Sequence, residues 1–264
     1  MRRAAMVFGV VLGAWCAVPT AFGTAISVPE SGAKYGDVPL SWGVTWGGAG
    51  IPTDHSAYRE ITDGDYTIRM AMRAHGRYDY DETADPSAPI YYVETGKFGG
   101  SGLDKDYAKW NFAFYGAVVD ATGAAVTPPN NYCVKLLYDF APPANTEASE
   151  HGSVTFTLPF QTTVNNQSVT VNPVQDSWNL AMGFLGTDST PTIDAPSISF
   201  DPNLNGEYTF RLAVYKVSCE TELGAVSMKV KAVPEPASMV ALGGLGLVGA
   251  GWGFVRRRKL RGKA

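Results

Sequence analysis

Histidine and cysteine are scarce, three of each in 264 residues. His55, His75 and His151 stand alone, and the chain has no HExxH, no GxSxG and no phosphate loop. The metalloprotease, serine hydrolase and nucleotide-hydrolysing chemistries built on those patterns are therefore unsupported. Asp54-His55 is an adjacent pair, but neighbours in sequence need not face each other. Two carboxylates can hydrolyse a glycoside, and an acid-rich chain supplies many such pairs by chance. The chain reads as a non-enzyme with no cofactor, calcium being the one candidate weighed below. Long amphipathic helices are also missing, which excludes a helical bundle.

Basic charge is sparse where most of the chain lies. Between Thr24 and Val233 there are 13 basic and 24 acidic residues, a net charge of about −11. Nucleic acid needs a basic footprint and is excluded. The remaining basic residues sit at the two ends. Arg2 and Arg3 precede an apolar stretch over 4–18 that is too short for a comfortable membrane span, followed by the small residues of "TAFGTA". That layout is a secretory signal peptide over 1–23, cut after Gly23 or Ala25. Cys16 leaves with it, so Cys133 and Cys219 remain. They either form a disulfide in an oxidising compartment or stay as two buried thiols. A bond closing a loop of about 85 residues contributes roughly 4 kcal/mol in the chain-entropy model.

The other basic end closes the chain. Val233 is followed by Pro234, Glu235 and Pro236, then by 19 residues without a charge from Ala237 to Val255. As a helix these reach about 28 Å, enough for a hydrocarbon core. Arg256, Arg257, Arg258 and Lys259 open a basic tail over 256–264 that stays cytoplasmic by the positive-inside rule. Proline on both sides of a glutamate cannot extend the helix and holds the backbone extended, as a protease cleft requires. The segment 234–264, with its span at about 237–255, resembles the PEP-CTERM sorting signal of Gram-negative bacteria. The resemblance implies export by the secretion machinery and a transient stay in the inner membrane. It also implies processing by an exosortase, then delivery to the cell surface or the extracellular, exopolysaccharide-rich matrix.

The body, 24–233, alternates. Trp110, Phe112 and Phe114 share one face, as do Tyr132, Val134, Leu136, Tyr138 and Phe140. Tyr208, Phe210, Leu212 and Val214 repeat the pattern, and so do Val226, Met228 and Val230. One-sided strands of this kind belong to antiparallel sheets packed on one face. "TPPNN", "APPAN" and "DPNLNG" punctuate them as turns. The pattern predicts an all-β antiparallel sandwich, jelly-roll-like, ending in a hairpin of strands at about 206–217 and 225–233. A structural or adhesive role at the surface follows, with binding of exopolysaccharide as the alternative and a glycan-active enzyme behind it.

Three patches carry candidate chemistry. Asp201, Asn203 and Asn205 alternate before Gly206, like the opening of a calcium loop, but Leu212 stands where the closing glutamate belongs. Asn-Gly before alternating apolar residues is also a turn signal. Asp79, Asp81, Glu82 and Asp85 form an acidic cluster that either holds calcium or solvates a loop. Tyr91, Tyr92, Glu94 and Phe98 pair rings with a carboxylate, as sugar recognition does, although rings at period two are usually core.

Overall fold

The computed structural model describes residues 26–48, 50–78, 83–128, 132–143, 150–164, 167–189, 192–216 and 221–234. The expected signal peptide, span and basic tail lie outside them. Among the described residues no helix is long and apolar enough to cross a membrane.

Among the described residues fourteen strands follow in chain order. They are β1 (Lys34–Gly36), β2 (Ser56–Asp63), β3 (Tyr66–Gly76), β4 (Thr83–Ala84), β5 (Ile90–Glu94), β6 (Trp110–Val119) and β7 (Tyr132–Tyr138). The second half holds β8 (Gly152–Leu158), β9 (Phe160–Val164), β10 (Gln167–Val171), β11 (Val174–Trp178), β12 (Ile193–Asp194), β13 (Gly206–Tyr215) and β14 (Glu222–Val233). One sheet has the order β1-β2-β3-β6-β11, and the other β12-β8-β7-β13-β14-β5-β4, with β9 and β10 as a separate hairpin. The terminal hairpin forms where alternation predicts it, with Phe210 opposite Met228. One pair departs from the antiparallel expectation. β5 runs parallel to β14, Ile90 opposite Lys229. Parallel partners need a long connection, and most of the body lies between these two. A jelly roll is antiparallel throughout, so this pairing corrects that finer expectation.

The alternating faces meet in one core. Ile68, Met70, Phe112 and Phe114 of the first sheet join Leu136, Phe210, Leu212 and Met228 of the second, all buried. The Phe112 and Phe210 rings stand 4.7 Å apart across the layers. Burying a side chain of this size contributes about 1.5–3 kcal/mol.

β6 is not one-sided, however. Every one of its residues is buried. Its outer face carries Ala113, Tyr115 and Ala117, which pack under Val38, Trp42 and Trp46 from the segment before β2. Small residues on β6 leave room for the two indoles. The Trp42 ring stacks on Tyr115 at 6.0 Å, and the Trp46 indole N–H donates to the Pro52 carbonyl at 2.9 Å.

The outward face of the terminal hairpin is charged. Glu207 takes Lys229 at 3.3 Å and Lys231 at 3.1 Å. Burial alone would raise the Glu207 carboxyl; the hydrogen bonds from Lys231 and Lys229 outweigh it and hold the group below its ordinary value of 4.5. The Ser87 hydroxyl lowers Asp85, and the Thr122 hydroxyl lowers Asp120. A depressed carboxyl stabilises the fold fully above its unfolded value and loses that contribution as pH falls through the folded one. Unfolding free energy should therefore decline on acidification below about pH 4.5, the unfolded glutamate value. Urea titrations across that range check it, and Glu207→Gln should flatten the slope.

Candidate functional site

β14 carries the chain out of the body. Val233, its last residue, lies opposite Glu94 of β5, and its carbonyl accepts the Thr95 N–H at 2.9 Å. Pro234 follows, exposed. Glu235, Pro236, Arg256, Arg257, Arg258 and Lys259 lie outside the described residues.

The same pole gathers several loops. The Gly96 N–H donates to Pro202 at 2.7 Å, the Lys109 N–H to Gly96 at 3.2 Å, and the Arg77 N–H to Lys109 at 2.7 Å. Asn179 is the central tie and is fully buried. Its Oδ1 accepts the N–H groups of Ala108 at 3.0 Å and Ala181 at 3.1 Å. Its Nδ2 reaches the carbonyls of Ala108 at 3.0 Å and Trp110 at 2.7 Å, and the Asn111 Oδ1 at 2.8 Å.

Between these loops lies a cleft of about 220 Å³, lined by Arg77, Val93, Glu94, Phe98, Lys109 and Trp110. On its wall the Lys109 Nζ donates to Glu94 Oε2 at 3.1 Å. The Arg77 guanidinium lies 4.8 Å from the Tyr78 ring and 4.8 Å from the Tyr107 ring. Tyr78 and Phe98 touch, with centroids 5.2 Å apart, and are 49% and 38% exposed.

The predicted glycan contacts divide here. Glu94 and Phe98 line the cleft. Tyr92 is exposed on the outer face of its sheet, under Lys231 at 5.9 Å. Tyr91 is a correction. It is fully buried in the shared core, and its hydroxyl donates to the His55 carbonyl. The period-two rule places Tyr91 and Tyr92 on opposite faces, so adjacent rings could not serve one ligand. Arg77, Tyr107 and Lys109 escaped the sequence reading, since only the tertiary fold brings them beside Glu94.

The "DPNLNG" stretch is a turn. Asp201 Oδ1 accepts from the Asn203 N–H at 2.9 Å and from the Asn203 Nδ2 at 2.8 Å. Gly206 is required by a close approach, because a Cβ there would sit 2.2 Å from the Pro142 carbonyl oxygen. Asn205 is exposed. Among the described residues no three acidic, histidine or cysteine side chains are grouped to hold a metal. Asp79, Asp81 and Glu82 lie outside them. Asp85 accepts from the Ser87 hydroxyl at 2.7 Å, closing its own turn. At the opposite pole Cys133, facing Tyr215 of β13, is disulfide-bonded. Cys219 lies outside the described residues.

An all-β body whose last strand passes straight into a Pro-Glu-Pro segment, an uncharged run and a basic tail has the organisation of an exported protein with a C-terminal address. Residues 232–259 match the family model of the PEP-CTERM protein-sorting motif. The chain is therefore a protein carrying that motif, which marks it for export, exosortase processing and sorting to the cell surface. No curated protein matches the chain.

Proposed function

We propose that the body is a structural or adhesive element of the cell surface or matrix, delivered there through its sorting signal. The carrying observation is the continuity of β14 with that signal. The motif match begins at residue 232, inside the strand. β14 pairs with β13 along most of its length and with β5 over its last five residues. Force applied at its carboxyl end runs along the strand and loads both ladders of hydrogen bonds at once, since those bonds lie across the strand direction. A strand held on both sides at the point of attachment suits a load-bearing body.

In this reading 1–23 is the leader, 24–233 the surface domain and about 237–255 a temporary membrane span. Cys219 is the partner of Cys133, because Cys16 leaves with the leader. No calcium or other cofactor and no catalysis is assigned to the domain. Mass spectrometry of the surface protein should recover no peptide carboxyl-terminal to Pro234-Glu235-Pro236, and cells lacking the chain should adhere less. Intact "RRRKLRGKA" on the surface protein, or unchanged adhesion, would reject it.

A further inference from the structure

We propose that the cleft between the ends of β3, β5 and the start of β6 is a subsite for one pyranose ring of a glycan. The inference rests on the surface reading above and gives it a ligand class. Three observations meet at this place. The first is the exposed ring pair Tyr78 and Phe98. Large apolar rings in contact and open to water leave surface unburied, and a flat C–H face of a sugar covers such rings.

The second is the backbone of Tyr78, at φ 70°. The left-handed region is sparse for any residue but glycine, and a bulky residue there is an outlier that the surroundings must hold in place. Here they do. The Arg77 guanidinium stacks on the Tyr78 ring and donates from Nη2 to its hydroxyl at 3.1 Å. Arg77 is itself fixed by Tyr107 on another side and by Asn111 Oδ1 at 3.3 Å. The ring is thus set before any ligand arrives, which removes an ordering cost from binding.

The third is the Glu94–Lys109 pair on the wall, one acceptor and one donor 3.1 Å apart. A sugar hydroxyl donates to the carboxylate and its neighbour accepts from the ammonium. Both side chains are partly exposed, 50% and 28%, so they can turn to a ligand without a buried charge being left behind. The cleft, about 220 Å³, is below the roughly 300–1,000 Å³ of sites for drug-sized ligands. It takes one ring, with the rest of the chain lying outside.

The test uses the full chain in detergent, titrated calorimetrically with cello-, chito- and alginate hexasaccharides. Saturable binding to at least one is expected. Phe98→Ala and Tyr78→Ala should each weaken it about ten-fold, within the range of a lost stacking contact. Tyr92→Ala, on an exposed ring outside the cleft, should leave it unchanged. Thermal melts establish that the variants fold, which the exposure of both rings favours. Absence of saturable binding to all three sugars, or binding that survives both the Phe98 and the Tyr78 substitution, overturns the proposal. Neither result touches the sorting reading, which depends on where cells place the chain.

Discussion

Truncation after Val233 is expected to empty the cell surface of this protein. The folded body is left whole, because β14 ends at Val233 and its carbonyl still accepts from Thr95. What is lost is the address. The 19 uncharged residues and the basic tail after them are the one stretch with the length and flanks of a membrane stop. Fractionation with an antibody to the body should show a surface signal lowered roughly ten-fold or more, since the processing that delivers the protein needs the span that was removed. The truncated chain should collect in the periplasm or medium with an unchanged strand-type circular dichroism spectrum. Normal surface levels would remove the sorting signal from the account. A chain that is degraded and never folds would instead show that the tail serves stability.

The tether that the truncation removes is short. Between Val233 and Ala237 stand only Pro234, Glu235 and Pro236. Four extended steps cover at most about 14 Å. In the proposed topology, a span starting at Ala237 holds the pole that carries the cleft within headgroup distance of the bilayer before processing. The cleft and the sorting signal share β5, through Val93 and Glu94 on one side and the Val233–Thr95 bond on the other.

Much of this was legible in the residues, and the reasons for the rest are specific. The alternating apolar sets read on β7, β13 and β14 appear in the core because each strand is covered on its inner face. β6 hid its second buried face. Ala113 and Ala117 look like neutral outward residues until the segment with Trp42 and Trp46 is folded over them. The parallel pairing of β5 with β14 has no local signal at all, since its partners lie more than a hundred residues apart. Tyr91 was misplaced by treating two adjacent rings as one patch, although alternation separates them. The sorting signal was the easiest feature to read, because proline, charge and hydropathy there act without tertiary partners. The cleft was the hardest, because Arg77, Glu94, Phe98 and Lys109 come from three separate stretches of chain.

Asn179 should prove the costliest single polar position to alter. From the sequence it is one more loop asparagine after Trp178. In the fold it is fully buried, and its amide serves five partners on two chain segments. Asn179→Ala strips partners from the backbone groups of Ala108, Trp110 and Ala181. A buried group left unsatisfied costs about 1–3 kcal/mol, and more than one is exposed to that cost here. A loss of about 3–5 kcal/mol is expected, placing the variant in the small class of severe substitutions. For a body of this size that lowers Tm by roughly 10 °C. Urea denaturation with an unchanged slope would assign the loss to the native state. Asn179→Asp should fare no better, because it keeps the acceptor, loses the amide donors and buries a charge. A loss below about 1 kcal/mol would mean that water takes over the vacated bonds, and Asn179 would then not be what holds residues 108–111 against the pole. The Lys109 and Trp110 walls of the cleft depend on that hold, so Asn179→Ala should weaken sugar binding together with stability. Phe98→Ala should weaken binding alone, which separates the residue that positions the cleft from the one that meets the ligand.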